Sequence, residues 1–147
     1  MQDDVMARNG KLIRALYEDW LSHGRFDELQ NSVADEYVGP NGEKGAAGFA
    51  ATMNGLRSAF PDIRFQVEDL IAEPDKVAVR WRWQATHAGE FRGLEATHRR
   101  VENTGIAIYH LRHGKIVRSC LETDRLGALQ QMGALPAGVG ASSLRSN

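Results

Sequence analysis

The chain has 147 residues, 42% hydrophobic and 25% charged, which suits one domain built around one core. A net charge of −1 argues against nucleic-acid binding, and no run of 18 apolar residues offers a membrane span. The start, MQDDVMARNG, has neither the basic end nor the apolar run of a secretory signal, and the single cysteine, Cys120, excludes an intrachain disulfide and fits a reducing, cytoplasmic setting.

Asp3 and Asp4 offer N-caps to a first helix, whose apolar rows Leu12, Leu16, Trp20 and Ile13, Tyr17, Leu21 lie side by side as one broad stripe. Ser22-His23-Gly24 ends it, and a short helix follows with Phe26, Leu29 and Val33 inward. YVGPNGEKG is a loop by its Gly, Pro and Asn content. Phe49, Met53, Leu56 and Phe60 then repeat at helical spacing until Pro61.

Beyond Pro61 the period changes to two. Ile63, Phe65 and Val67 alternate with polar residues, AEPDK turns, and Val77, Val79, Trp81 and Trp83 alternate with Ala78, Arg80, Arg82 and Gln84. Residues 101–111 and 115–123 form two further strands around Arg112-His113-Gly114, and a helix with Leu126, Leu129 and Met132 follows Asp124. Helices first and hairpin-joined strands afterwards imply an α+β fold, with helices on one face of a curved, mostly antiparallel sheet around a pocket. Residues 1–135 form that single domain, and 136–147 are expected to be a frayed, flexible tail. Charge is uneven: residues 1–79 hold 14 acids and 8 bases, residues 80–118 hold 3 acids and 8 bases. A basic half can greet an anionic substrate or meet the acidic half of the same molecule.

The segments AFPDIRFQVEDLIAEPDKVAVRW, THAGEF, GIAIYHLRHGKIV and TDRLGALQQMG, in this order and spacing, resemble the SnoaL-like polyketide cyclases. These belong to the nuclear-transport-factor-2-like superfamily of conical α+β folds, and the likeness covers roughly residues 10–133. It implies a homodimer or homotetramer acting on a planar aromatic polyketide without metal or organic cofactor. The best-known members close a ring by an intramolecular aldol reaction; related ones take part in hydroxylation, which would call for a reductase partner. The family's aspartate falls at position 121, and a pocket glutamine and histidine at 105 and 107. Here those positions hold Leu121, Gly105 and Ala107. The departure moves the expectation from aldol closure toward hydroxylase-type or divergent chemistry, with a non-catalytic small-molecule-binding protein as the alternative.

Proton transfer needs a carboxylate or imidazole in an apolar pocket. The candidates are Asp124, Glu122 and His87. Asp124 also suits an N-cap, Glu122 also suits a solvated strand face, and His87, in phase with Trp81 and Trp83, also suits a satisfied core histidine. Trp81 and Trp83 are the candidate wall against a flat ligand, with Tyr37, Tyr109 and Trp20 completing it and Asn103 bonding a carbonyl. Which strand face lines the pocket depends on the hairpin. A three-residue turn pairs Leu111 with Lys115 and groups Gly105, Ala107 and Tyr109 with Val117, Ser119 and Leu121. A two-residue His113-Gly114 turn pairs Arg112 with Lys115 and brings in Cys120, Glu122 and Asp124 instead. The first is favoured, because the second needs His113 at positive φ. The opposite face, with Ile106, Ile108, Ile116 and Cys120, is then apolar enough to demand self-association. No HxH, HExxH or CxxC spacing suggests a metal, and no G-x-S-x-G, GxGxxG or P-loop is present.

Overall fold

A computed structural model describes residues 2–135; the expected tail at 136–147 lies outside them. Helix α1 (Gln2–Ala15) runs straight into a π-helical segment, Leu16–Leu21. A 3-10 turn (Phe26–Glu28) and α2 (Leu29–Ser32) lead into strand β1 (Val33–Val38), and α3 (Gly45–Ala59) follows. Four strands come next: β2 (Arg64–Ala72), β3 (Lys76–Thr86), β4 (Arg100–Arg112) and β5 (Lys115–Thr123). Helix α4 (Arg125–Gln131) ends the described fold.

The strands form one mixed sheet in the order β1-β5-β4-β3-β2, antiparallel except where β1 joins β5 in parallel. Helix α1 packs on β2 and β3, α3 on β1, and α4 on β4. One core results, and it contains the inward row Val77, Val79, Trp81, Trp83 and Ala85 of β3. Leu16, Tyr17, Trp20 and Leu21 of the π segment all face inward, on the two adjacent apolar rows of the first helix.

Three expectations change here. Val33 is the first residue of a strand, and Tyr37 belongs to that strand rather than to a loop. VADEYV is short, carries two acids and pairs only along one edge, so it has little of the period-two signature. The hairpin is the two-residue type: Arg112 pairs with Lys115, and His113 and Gly114 both take positive φ, 54° and 76°. Yet Gly105, Ala107 and Tyr109 still share a face with Ser119 and Leu121. Leu111 pairs with Ile116 but His110 pairs with Arg118, so Val117 is an extra, unpaired residue, and this bulge restores the facing that the shorter turn alone would have reversed. Ile116 consequently turns inward and is fully buried, not part of the outer patch.

Candidate functional site

A cavity of about 290 Å³ opens between the helices and the inner sheet face. Its walls are Tyr17 and Leu21 of the π segment, Phe49, Met53, Leu56 and Phe60 around α3, and Ala128, Leu129 and Met132 around α4. The sheet supplies Trp81, Trp83, Asn103, Ala107, Tyr109, Ser119, Leu121 and Thr123. Asn41, Glu43, Arg92 and Arg125 are its charged and amide residues from loops and the α4 start. A wider groove lies outside, between α1 and β2, with Arg8, Lys11 and Arg14 but no aromatic wall.

Of the expected ligand contacts, Trp81, Trp83, Tyr37, Asn103 and Tyr109 line this cavity. Trp20 does not; it lies in the π segment and is buried in the core. Trp81 stacks on Tyr17 with ring centroids 6.1 Å apart and lies over Gly105, its cross-strand partner. A Cβ at 105 would run into the six-membered ring of Trp81, so the position where the resemblance implies a glutamine is closed by an indole. Trp83 packs on Phe60 at 4.9 Å. Asn103 is already engaged: its Nδ2 donates to Thr123 Oγ1 and its Oδ1 accepts from the Thr104 N–H.

The expected acid–base residues lie elsewhere. Asp124 is exposed and caps α4, its Oδ1 accepting from the Gly127 N–H at 2.9 Å, and it is not on the cavity wall. Glu122 pairs across the strands with Ile106 and is exposed on the outer sheet face. His87 is fully buried beneath Phe60, ring centroids 5.5 Å apart, rather than at the cavity. The Thr97 N–H donates to its Nδ1 at 3.2 Å, which puts the ring proton on Nε2, and Thr97 Oγ1 lies 3.0 Å from the same nitrogen. These bonds tie together the two ends of the 87–97 segment. Nε2 is buried without a partner.

Sequence reasoning missed Glu43 and the Tyr17 hydroxyl, which also reach the cavity. Glu43 comes from the β1–α3 loop, half-buried, its Oε1 accepting from the Asn41 N–H at 2.6 Å. The loop closes on itself through the Gly39 N–H to the Glu43 carbonyl, 2.8 Å. A Cβ at Gly39 would lie 2.9 Å from both Glu43 Oε2 and Tyr37 Oη, so those two atoms converge on one small space. Tyr37 Oη and Ser119 Oγ are 2.7 Å apart, and Tyr17 Oη and Tyr109 Oη 2.6 Å. Burial pushes the Tyr17, Tyr37 and Tyr109 phenols above their ordinary value, with the Glu43 charge adding to the shift at Tyr37. The Trp81 N–H favours the Tyr17 phenolate slightly but is too poorly placed to count as a hydrogen bond.

An α+β sandwich of helices on one face of a mixed sheet, closed around an aromatic cavity, is the architecture of the conical small-molecule enzymes. The model of the SnoaL-like polyketide cyclase family matches residues 11–132, and the chain belongs to that family. Among solved structures it is similar to AclR from Streptomyces galilaeus, with 26% identity, 95% of this chain and 92% of that one covered, and a TM-score of 0.81. TsrD from Streptomyces laurentii is 26% identical over 92% of this chain and 99% of that one, with a TM-score of 0.78. A SnoaL-like polyketide cyclase from Agrobacterium tumefaciens is 28% identical over 82% and 95%, with a TM-score of 0.72. No curated protein matches the chain in sequence.

Proposed function

We propose that this protein is a polyketide-tailoring enzyme that forms an enolate on a planar, poly-oxygenated substrate and steers it, as in ring closure, without the aspartate expected at 121. The observation that carries this reading is Glu43, the one carboxylate among the described residues that line the cavity. Enolate chemistry needs a proton taken from a carbon beside a carbonyl and a proton delivered to the oxygen that becomes a hydroxyl. With Oε1 held by the Asn41 N–H, Oε2 is left to accept the first proton, and the resulting acid can return it to the new alkoxide, so no co-reactant is consumed. The apolar wall of Phe49, Phe60, Trp81 and Trp83 supports a flat ligand and keeps water from quenching the charge. A volume near the lower end of ligand cavities, roughly 300 Å³, suits two or three fused rings better than four.

The outer sheet face supports a homodimer. Ile71, Ala78, Ile108 and Cys120 align across β2, β3, β4 and β5 as an apolar row, and Ile106 adjoins it. Ile71 is 61% exposed and Ile106 52%. Such a patch is costly to leave in water.

The test is turnover of an uncyclised aromatic polyketide intermediate by Glu43→Gln, which keeps size and removes the base. Activity should fall roughly 100-fold or more, while Asp124→Asn, whose side chain still caps, stays near wild type. Full activity of Glu43→Gln would overturn the assignment. A binding role is the second reading, favoured by the apolar Leu121 and Ala107 on the cavity wall; tight binding by wild type with no turnover decides for it. Turnover that depends on a reductase and dioxygen would move the protein to the hydroxylating branch.

A further inference from the structure

Four hydroxyls meet on the sheet side of the cavity. Tyr17 is joined to Tyr109 at 2.6 Å and Tyr37 to Ser119 at 2.7 Å. Tyr109 and Ser119 stand directly opposite each other on β4 and β5, so the two pairs are neighbours, and all four residues line the cavity. Each hydroxyl carries one proton, and each pair uses one of its two in the bond between its members. Among the described residues no further acceptor takes the second proton of either pair. One donor per pair is therefore left over, in side chains no more than 7% exposed. Buried donors without acceptors are rare because they have given up water for nothing. Here the space in front of them is a ligand cavity.

We infer that the Tyr17–Tyr109 and Tyr37–Ser119 pairs form an oxyanion shelf: two spare O–H donors, side by side, that take an enolate or phenolate oxygen, or two neighbouring oxygens, of a planar ligand. Within each pair the bonded partner polarises the donor, and hydrogen bonds to a charged oxygen are about twice as strong as neutral ones. Burial keeps the tyrosines protonated, and so donating, throughout the physiological range. The shelf faces the same cavity as Glu43, so that proton removal at carbon and charge collection at oxygen occur in one space. This deepens the enolate reading and its catalytic meaning rests on it, but the binding property does not.

The probe is 2-hydroxyanthraquinone, a flat phenol whose visible absorption moves to longer wavelength on ionisation. Bound to wild type, it should ionise at least one pH unit lower than when free, which corresponds to about tenfold tighter binding of the phenolate than of the phenol. Single changes, Tyr109→Phe or Ser119→Ala, release the former partner and leave the number of spare donors the same, so they should keep most of the shift. The double changes Tyr17→Phe/Tyr109→Phe and Tyr37→Phe/Ser119→Ala each remove a donor and should each cut the preference to roughly threefold or less. Anthracene, which has no oxygen, should bind all folded variants as it binds wild type. If one double variant no longer holds anthracene, the other carries the test. An unshifted probe in wild type, or a shift undiminished in folded double variants and therefore due to Arg92 and Arg125, would overturn the shelf. A probe shift without polyketide turnover sinks the enolate reading and leaves the shelf standing; turnover without a shift does the reverse.

Discussion

Two strand-to-helix junctions frame the same cavity, and each carries an acid. At the β5–α4 junction, Asp124 accepts the Gly127 N–H and caps the helix. At the β1–α3 junction, no side chain caps α3, whose N-cap position is Lys44, and Glu43 just before it turns to the cavity instead. Each acid even has its own clearing: a Cβ at Gly127 would strike the Asp124 carboxylate, and one at Gly39 would crowd Glu43 Oε2 and Tyr37 Oη. An acid beside a helix start is therefore not by its position a base. A capping carboxylate has its lone pairs engaged by backbone, whereas one excused from capping keeps an oxygen for chemistry.

The sharpest way to break this contrast after Glu43→Gln is Gly39→Ala. Pushing Glu43 off its place by about 1 Å should cost on the order of 100-fold in turnover, since misplacement of that size does so elsewhere. Melting temperature should barely move; a stability loss that accounts for the lost activity would erase the distinction between the junctions.

Alkaline pH offers a second separation. The phenols of Tyr17, Tyr37 and Tyr109 are raised from an ordinary value of 10.0. Below pH 10 native and unfolded chains both hold these protons and stability is level. Above it the unfolded chain releases them first, so stability falls by about 1.4 kcal/mol per pH unit for each phenol. Urea titrations at pH 9 and 11 should show the fall, reduced in Tyr37→Phe and unchanged in Asp124→Asn, because no tyrosine depends on the α4 cap.

Smaller effects belong to the capping junction. Asp124→Ala should lose about 1 kcal/mol, and Asp124→Asn only a few tenths, by chemical denaturation. Gly127→Ala should change least: the displaced cap costs about 1 kcal/mol and the gain of alanine over glycine in a helix returns about the same. A loss of several kcal/mol there would mean that Asp124 holds more than one turn of helix.

Much of this architecture was legible before any coordinates. The period-two rows of β3 and β4 sit against the core as spaced, because a sheet buried on one face leaves no other place for Trp81, Trp83 and Tyr109. The cap at Asp124 was legible too, since it needs only local geometry. β1 was not, because VADEYV gains its strand character from β5, a partner far away in sequence. Nor was Glu43: YVGPNGEKG announces a loop, but no local rule says that the loop folds over a cavity. His87 shows the opposite failure. Its phase with the tryptophans was right, yet the inward side of a strand end leads into packed core, and its Nδ1 is taken by the 97 position of the same returning segment.

The extra residue Val117 has a consequence for how this wall can change. Residues of β5 beyond it are assigned inside or outside by counting, and the bulge adds one to the count. Loss of the bulge with Val117 kept, so that Val117 pairs with His110, would exchange the two sets at a stroke: Ser119 and Leu121 would turn out, and Cys120 and Glu122 would turn in. A carboxylate would then stand on the cavity wall with no codon for an acid having been altered. In this fold, the shortest step between an apolar wall and an acidic one is a slip of register, not a substitution.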